Sequence, residues 1–381
     1  MSRKTIYMDN NATTQVHPCV IKYMTRILRD IYANPSSSHQ LGRIGKKYIQ
    51  NARKTIAKLI QVPSKSIIFT SSATESNNLA LRGYFMNNRK RGKHIIISPI
   101  EHASVLKTCE DLVRKFGAKL SFIPVDEYGI VDTNALKKLI RKDTIICSVM
   151  ACNNEIGTIQ PIAKIGEICH KKGIFFHCDA TQYIGHYRIH PQKYHIDAMS
   201  FSAHKMHGPR GIGVLYIKNK SMICPCTTGG GHEMGMRAGT EATYLMCSQA
   251  YCLKFNLKRL ENTKKKVKKM KNGMCKKLKK LIPNIIFNGH PIKSKYNTIS
   301  ICLPNIDSRK LLPALDKRGI CINVGSACSM GKRSKVLEAI GLSEELEKGA
   351  FRISLSEYNT PAECNRVCQV LAKLYYLKLN K

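Results

Sequence analysis

The sequence predicts an α/β protein with a mostly parallel seven-stranded sheet in a large domain and a smaller α+β domain after it. From about residue 65, short β-branched runs alternate with helical patterns, an order typical of parallel sheets covered by helices on both faces. Hydrophobic residues make up 43% of the 381 residues, enough for a sizeable core. A long helical pattern near 241–280 then ends the alternation. These observations predict the two-domain architecture.

Seven runs in the first part are predicted to be buried strands, because each is short and rich in β-branched or aromatic residues. They are 66–70, 94–98, 119–125, 144–150, 174–180, 197–203 and 211–217. Helical patterns separate most of them, and these are the stretch that opens on "SSAT" after the first strand, 103–116, 133–141 and 163–172. A strand–helix alternation of this kind favours parallel pairing.

After the long helix the order of elements changes. Runs at 297–303, 319–324 and 351–356 have strand character, with a helical pattern at 308–318 and another at the end of the chain. We therefore predict a large domain from residues 15–259 and a small domain from 1–14 and 260–381. The boundary near residue 260 falls within the long helical pattern.

The formal net charge of +38 is unusually high. Between Lys254 and Lys280 a single acid, Glu261, accompanies twelve lysines and Arg259. One interpretation is a basic protein that binds tRNA or an acidic partner. The other is compositional drift, which the helical spacing of the apolar residues favours, because the lysines then form the wet face of an amphipathic helix. Aromatic residues do not alternate with these lysines as base stacking requires.

The sixteen cysteines are irregularly spaced and include no paired C-x-x-C motif of the zinc type. The first residues, "MSRKTIYMDNNATT", contain no apolar signal segment, and no apolar run approaches the length needed to span a membrane. We expect a cytoplasmic protein without membrane contact, or alternatively a protein of a reduced, mitochondrion-like organelle. Most thiols are then expected to be small buried hydrophobes.

Polar clusters follow five of the predicted strands, at the edge of the sheet where ligands bind in such folds. They are 71–74, 101–102, 153–155, Asp179 with Gln182, and Ser202 with His204 and Lys205. An acid and a lysine in one α/β cleft suit pyridoxal phosphate, since the lysine binds the cofactor covalently and the acid holds its ring nitrogen protonated. The alternative is a structural ion pair between Asp179 and Lys205.

The phosphate of that cofactor requires donors. Thr74 opens a helix directly after a strand, where backbone N–H groups favour an anion, and Ser202 and His204 add donors; ordinary capping is the alternative. His102 either lies flat on the cofactor ring or is a satisfied core histidine. His204 and His207 have the spacing of a metal pair on a helix, but the Gly-Pro that follows disfavours a helix, and we expect no metal.

Two further residues have unusual surroundings. Cys328 lies in "NVGSACSMGKRS", a small and polar loop in which nearby cations favour the thiolate, although an ordinary exposed cysteine is the alternative. Arg352 lies within the apolar run "FRISLS", where its guanidinium can hold a substrate carboxylate. The alternative for Arg352 is an ion pair with an acid such as Glu357.

Ten motifs occur in the order found in cysteine desulfurases of the NifS/IscS kind, which are class V aminotransferases of fold type I. They are "YMDNNATT", "NPSSSH", "TSSATESNNLA", "EHASV", "NNEIGTIQPI", "HCDATQ", "SFSAHKMHGPRGIG", "GGGHEMGMRAGT", "GSAC" and "FRISLS". The resemblance covers residues 5 to 375, essentially the whole chain. It implies a pyridoxal phosphate enzyme that converts L-cysteine to L-alanine.

The resemblance also implies a role for each candidate residue. Lys205 would bind the cofactor covalently, Asp179 its ring nitrogen and Gln182 its ring hydroxyl, while His102 would stack on the ring and accept a proton from the substrate thiol. The phosphate would be held by Thr74, Ser202 and His204, together with Thr240 from a second subunit of a homodimer. The substrate carboxylate would be held by Asn34, Asn154 and Arg352. Cys328 would take the sulfur as a persulfide.

The sulfur is then expected to go to an iron–sulfur scaffold protein or to tRNA thiolation. The loop after Cys328 is shorter and more basic than in most relatives, and the C-terminal tail is short, so neither acceptor is assigned. Two alternatives stay open: a selenocysteine lyase or aminotransferase of the same fold, and a basic binding protein on this fold.

Overall fold

The computed structural model describes residues 5–324 and 333–379. Its strands are β1 (Ile6–Tyr7), β2 (Ile67–Thr70), β3 (His94–Ile97), β4 (Lys119–Phe122), β5 (Thr144–Ser148), β6 (Phe175–Asp179), β7 (Ala198–Ser202), β8 (Gly213–Ile217), β9 (Ile286–Asn288), β10 (Thr298–Cys302), β11 (Ile320–Cys321) and β12 (Ala350–Ser354). Its α-helices are α1 (Pro18–Asp30), α2 (Gln40–Ile60), α3 (Ala73–Asn88), α4 (Ala103–Phe116), α5 (Thr133–Leu139), α6 (Ile162–Lys171), α7 (Thr243–Leu281), α8 (Ser308–Asp316), α9 (Lys335–Ala339), α10 (Glu344–Lys348) and α11 (Pro361–Leu379). In this described part, no helix is long and apolar enough to cross a bilayer.

The seven predicted strands form one sheet in the order β2-β8-β7-β6-β5-β3-β4. All of them run in the same direction except β8, which pairs antiparallel with both β2 and β7. A parallel strand needs a long crossover, and the connection from β7 to β8 contains only a short 3-10 turn at 203–205. The sheet is therefore mostly parallel, as predicted, and it brings the carboxyl ends of β2, β3, β5, β6 and β7 to one edge.

Helices cover both faces of this sheet. Alternate residues of one strand point to opposite faces: Ile95 and Ile97 of β3 pack in the cluster with α3 and α4, whereas Ile96 packs in the cluster with α1, α2 and the first part of α7. All three isoleucines are fully buried. Burial on both faces explains why these strands are continuous apolar runs in the sequence.

The small lobe contains a three-stranded antiparallel sheet, β12-β10-β9, and a short parallel pair of β1 with β11. Its core is continuous with the second half of α7, because Val267, Met270, Met274 and Leu278 pack there while Leu257 and Leu260 pack against the large sheet. Helix α7 thus changes from one hydrophobic core to the other between Leu260 and Val267 without a break. The division of the chain at residues 259 and 260 stays a prediction.

The segment that precedes Thr240 is tied to the large sheet by a buried ion pair. Arg53 on α2 donates from both terminal nitrogens to Glu233, at 2.7 and 2.5 Å, and the Phe69 N–H donates to the same carboxylate at 2.7 Å. The side chains of Arg53 and Glu233 are 12% and 1% exposed. Removal of one partner from such a pair leaves an uncompensated buried charge.

We therefore expect Glu233→Ala to lower the free energy of unfolding by about 3 kcal/mol, because Arg53 and the Phe69 N–H both lose their acceptor. Urea denaturation of the apo-protein measures the change. The control is Glu167→Ala, which removes the exposed Lys171–Glu167 pair and is expected to cost less than about 0.5 kcal/mol. Equal effects of the two substitutions would show that the Arg53–Glu233 pair does not stabilise the fold.

Candidate active site

The carboxylate of Asp179 lies at the carboxyl end of β6 and is 5% exposed. Two groups donate to it: the Asn77 side-chain amide to Oδ2 at 2.8 Å and the Thr181 N–H to Oδ1 at 2.9 Å. Asn77 lies on α3, is fully buried and also donates to Ser104 Oγ at 2.8 Å. Because both donors are neutral, this buried carboxylate is suited to a cationic ligand group.

Lys205 follows β7, in the 3-10 turn at 203–205. Its Nζ donates to the carbonyl oxygens of Asn11 at 2.8 Å and Ala12 at 2.6 Å. Within the described residues, no ion pair joins Lys205 to Asp179, which was the structural alternative for the two groups. The carbonyl groups of residues 11 and 12 therefore hold the amine in place.

His102 caps α4 at the end of the connection from β3. Its Nδ1 accepts from the Ser104 N–H at 3.1 Å and lies 2.7 Å from Ser104 Oγ. Burial lowers the pKa of His102, the Asp179 charge raises it and the Lys205 charge lowers it again. The ring is therefore neutral at neutral pH. Because Nδ1 accepts a hydrogen bond from the Ser104 N–H, the single ring proton lies on Nε2.

Gln182 is buried three residues beyond Asp179. Its Nε2 donates to the Asn11 carbonyl oxygen at 2.9 Å, and its Oε1 accepts from Lys295 Nζ at 2.8 Å. The Asn11 carbonyl thus receives hydrogen bonds from both Lys205 and Gln182. The sequence motif "YMDNNATT" contains Asn11, but neither a role for Asn11 nor the presence of Lys295 in the site was predicted.

The candidate phosphate donors lie at the start of α3 and after β7. Ser72 caps α3 by accepting from the Glu75 N–H at 3.1 Å, and Thr74 lies in the first turn. The Ser202 hydroxyl donates to the Ile212 carbonyl at 2.7 Å, so it must rotate to donate to a ligand. His204 Nδ1 lies 3.2 Å from Thr13 Oγ1, and burial together with the Lys205 charge lowers the pKa of His204 to about 4.

Arg352, on β12, is 1% exposed and forms its ion pair with Asp9, not with Glu357. Its Nη2 donates to Asp9 Oδ1 at 2.7 Å and its Nη1 to the Asn154 carbonyl at 2.9 Å. Glu357 pairs with Arg259 instead. The alternative for Arg352 was an ion pair with an acid such as Glu357, and the acid that pairs with it is Asp9, which the sequence did not predict.

The remaining candidates are less connected. Asn34 is exposed in the connection from α1 to α2, where its Oδ1 accepts from the Ser36 N–H at 2.9 Å. Thr240 is exposed before α7. Among the described residues, no hydrogen bond joins either of them to the other candidates. Cys328 lies outside the described residues.

The pair of histidines considered for a metal is divided between two environments. His207 Nδ1 lies 2.9 Å from the Gln15 carbonyl and His204 Nδ1 faces Thr13. The backbone of His207 has φ +64°, which is incompatible with a helix that continues through it. In residues 5–324 and 333–379, no group of three or more metal-ligating side chains is close enough to hold an ion.

Glu101, next to His102, is 7% exposed. Its Oε1 accepts from Ser98 Oγ at 2.5 Å and from the Met150 N–H at 2.8 Å. Burial raises the pKa of this carboxyl to about 8, and the charge of Asp179 raises it too, against the two hydrogen bonds. Glu101 is therefore largely protonated at neutral pH.

We expect Glu101→Gln to remove a pH-dependent loss of stability. Between the ordinary pKa of 4.5 and the folded pKa of about 8, the native wild type binds more protons than the unfolded chain, so its stability falls as the pH rises. Relative to Glu101→Gln, the wild type should lose on the order of 5 kcal/mol across this window, at about 1.4 kcal/mol per pKa unit. Urea unfolding at several pH values measures this difference. If the free energies of unfolding of wild type and Glu101→Gln changed with pH in parallel, the prediction would be contradicted.

Comparison of the sequence with known proteins identifies the family to which the chain belongs. The family model "Aminotransferase class-V" matches residues 6–367. A protein of Methanosarcina thermophila named "Cysteine desulfurase IscS" is 39% identical over 373 residues, which is 97% of this chain and 92% of that protein.

Two solved structures extend the comparison. A NifS-like protein has a TM-score of 0.93 with 35% identity, and the match covers 98% of this chain and 100% of that one. SspA in complex with cysteine has a TM-score of 0.80 with 30% identity, and the match covers 93% and 100% of the two chains. At this coverage the similarity includes both the large sheet and the small lobe.

Proposed function

The chain belongs to the class-V aminotransferases and, within them, to the cysteine desulfurases, and from this we propose that it holds pyridoxal phosphate at the strand ends and transfers sulfur from L-cysteine to Cys328. The observation that carries the proposal is the convergence of Asp179, His102 and Lys205 at the carboxyl ends of β6, β3 and β7. L-Alanine is the second product.

The described residues fit the cofactor. Asp179 supplies a buried carboxylate for a protonated ring nitrogen, and Asn77 and the Thr181 N–H hold that carboxylate in position. His102, held by Ser104, presents a neutral ring suited to stacking. When bound, pyridoxal phosphate withdraws electrons from Cα of an attached amino acid, which weakens bonds at that carbon.

Lys205 provides the amine that binds the cofactor covalently. The carbonyl groups of Asn11 and Ala12 fix the position of Nζ through hydrogen bonds of 2.8 and 2.6 Å. When substrate displaces the amine, these two carbonyls remain as acceptors for its N–H groups. The lysine then stays at the cavity as a base for the Cα proton.

The phosphate is assigned to the first turn of α3 and to the turn after β7. Backbone N–H groups at the start of α3 and the hydroxyl of Thr74 can donate to an anion, and helix polarity favours negative charge there. Ser202 and His204 add donors after rotation of the hydroxyl. We propose that Thr240 of a second subunit completes the site in a homodimer.

The substrate carboxylate is assigned to the buried cationic group of the small lobe. Asp9 and the Asn154 carbonyl hold the guanidinium of Arg352, and the Asn11 amide donates to the same Asn154 carbonyl. Arginine binds a carboxylate in a planar, two-point geometry, which orients Cα toward Lys205. Asn154 and Asn34 are proposed as further donors to the same carboxylate.

The chain on either side of Cys328 supports its assignment to this site. Asn323 pairs with Arg352 through backbone bonds and donates to Asp9 at 3.0 Å. On the other side, Ser334 donates to the buried Glu155 at 2.7 Å. Cys328 is the fifth residue after Asn323, and five residues of chain span at most about 18 Å. This short separation from a residue that pairs with Arg352 supports the proposal that Cys328 accepts the sulfur.

His102 is our candidate for accepting the proton of the substrate thiol. To accept at Nε2, the neutral ring must exchange its tautomer and donate from Nδ1 to Ser104 Oγ, which lies 2.7 Å away. Ser104 Oγ is itself placed by the Asn77 amide. In the sulfur transfer, the Cys328 thiolate would bond to the substrate sulfur while the Cβ–S bond breaks, and the electron pair of that bond would stay with the carbon, which takes a proton to give alanine.

The function is tested on the purified wild type with its cofactor. L-Cysteine and a reductant are expected to yield alanine and sulfide in equal amounts, without any requirement for a keto acid. Turnover that requires a keto acid and releases no sulfide would indicate an aminotransferase. Activity confined to L-selenocysteine would indicate a selenocysteine lyase, and tight salt-dependent binding of tRNA without turnover would indicate a binding protein.

The acceptor of the sulfur is proposed at the level of its class. An iron–sulfur scaffold protein or a tRNA-thiolation protein would take the persulfide from Cys328. The exposed lysines of α7, among them Lys254, Lys258 and Lys265, give this side of the molecule a positive face suited to an acidic partner. A cytoplasmic location, or one in a reduced organelle, is part of the same proposal.

A further inference from the structure

Lys295, the third residue before β10, is a lysine with 1% exposure beside the active site. Its Nζ donates to Gln182 Oε1 at 2.8 Å and to Asn11 Oδ1 at 3.3 Å. Lysine is among the residues that are least often fully buried, because desolvation of its ammonium group is costly. The proposed reaction does not require a further buried cation next to Lys205 and Arg352.

Both of the hydrogen bonds just described for Lys295 Nζ go to side-chain amide oxygens. An ammonium group is a donor without an acceptor site, so each amide must present its oxygen to Nζ. Gln182 then presents its nitrogen to the Asn11 carbonyl, the oxygen that also receives Lys205 Nζ. Asn11 presents its nitrogen to the Asn154 carbonyl at 3.1 Å and to Thr298 Oγ1 at 2.9 Å.

We propose that Lys295 is a positioning residue that fixes the orientation of the Gln182 and Asn11 amides, so that the N–H groups of Gln182 face the ring hydroxyl of the cofactor. The inference rests on the proposed function, in which Gln182 contacts that hydroxyl. With Lys295 absent, only the bonds to the Asn11 and Asn154 carbonyls still oppose a turned amide, so turning becomes less costly, since the oxygen and nitrogen occupy nearly the same volume. A turned Gln182 would present an acceptor to the ring hydroxyl oxygen and lose one donated hydrogen bond.

The charge of Lys295 makes this orientation dependent on pH. Burial lowers the pKa of Lys295 to about 7, Lys205 and Arg352 lower it as well, and Cys152 acts in the opposite direction. Among the described residues, His186 is a further titratable neighbour, because the charge of Lys295 lowers the pKa of its ring. Below pH 7 the ammonium form enforces the orientation, whereas the neutral amine that forms above this pH has a lone pair and tolerates a turned amide.

The test measures the dissociation constant of pyridoxal phosphate by absorbance titration of the apo-protein, at about pH 6 and about pH 9, on either side of the Lys295 pKa. Lys295→Met is expected to weaken binding about tenfold at the lower pH, equivalent to one lost hydrogen bond, and by a smaller factor at the higher pH. Lys295→Arg, which is a donor without an acceptor site at both pH values, is expected to bind within about threefold of wild type at the lower pH.

Two further variants separate positioning from general damage. Lys271→Met is the matched control. Lys271 is partly buried, and burial lowers its pKa as it does that of Lys295. It donates to the Lys295 carbonyl at 2.9 Å, and among the described residues it has no hydrogen bond to Gln182. It is expected to leave the dissociation constant unchanged. In a Gln182→Ala background, Lys295→Met is expected to cause almost no additional loss, since the two act through one contact.

The proposal is overturned if Lys295→Met binds the cofactor as tightly as wild type does at both pH values. It is also overturned if Lys295→Met weakens cofactor binding in the Gln182→Ala background by as much as it does in the wild type. It is also overturned if Lys295→Arg binds as weakly as Lys295→Met at the lower pH, because a permanent donor at this position would then not restore binding. Should Lys295→Met not fold, a ratio of dissociation constants between wild type and Lys295→Arg that does not change with pH would likewise overturn it. A wild type that binds no cofactor would instead refute the proposed function itself.

Discussion

Replacement of Lys205 by alanine is expected to reduce the release of alanine and sulfide from L-cysteine by at least about 1,000-fold. The variant loses both the amine that binds the cofactor and the base at Cα. It also leaves the carbonyl groups of Asn11 and Ala12 without the donor they share in the structure. The measurement is a single-turnover and steady-state assay of both products in the presence of a reductant.

Lys218→Ala is the control for Lys205→Ala. Lys218 lies just after β8, half exposed, and its Nζ is 3.7 Å from Asp197. Its removal should leave the rate within about twofold of wild type, as expected for a weak surface pair. If Lys205→Ala keeps about a tenth of the wild-type rate or more, the covalent role of Lys205 is wrong.

The second large effect is expected for Cys328→Ser, which should lower sulfide release by about 1,000-fold while the cofactor still binds. A hydroxyl is a far weaker nucleophile toward sulfur than a thiolate. The assay follows sulfide together with the sulfur bound to protein after a single turnover. Bound sulfur should appear in the wild type and be absent from the variant.

Cys226→Ser provides the control, because Cys226 is an exposed cysteine in a connecting segment. Partial desolvation of its thiol raises the pKa of Cys226, which disfavours the thiolate, so the substitution should not change turnover. Full turnover by Cys328→Ser would remove the persulfide step. A selenocysteine lyase or an aminotransferase would then explain the site better.

The large sheet could be predicted because its strands, apart from the edge strand β4, are buried on both faces. Most of them are therefore largely apolar runs, and the polar residues that end the runs mark the cavity. The direction of β8 was not predicted, since direction depends on the length and path of the connection and not on the composition of the strand. Helices α1 and α2 were not predicted either, because His17 and His39 cap them through Nδ1, in place of the usual Ser, Thr, Asp or Asn.

The cavity was predictable at the strand ends and unpredictable where distant segments meet. Asp179 and Lys205 follow apolar runs, and this local pattern identified them. Lys295 contacts Asn11 across 284 residues, and Arg352 contacts Asp9 across 343. Nothing in the local sequence of a lysine distinguishes burial against two amides from exposure to water, so such roles appear only when the fold brings the segments together.

The pairing of the first residues with the last has a consequence for biosynthesis. Asp9 pairs with Arg352, and the Asn10 side chain donates to the Ser354 carbonyl 344 residues later. At about 5–20 residues per second, the ribosome needs roughly 20 to 70 s to produce the partners of the N-terminal segment. During this time the large sheet can fold. The segment that contains Asn11 and Ala12 is not yet held in place, so the position of Lys205 Nζ is not yet fixed. The nascent enzyme is therefore expected to acquire its cofactor site only after release, and an N-terminal segment that emerges first is among the last to be placed.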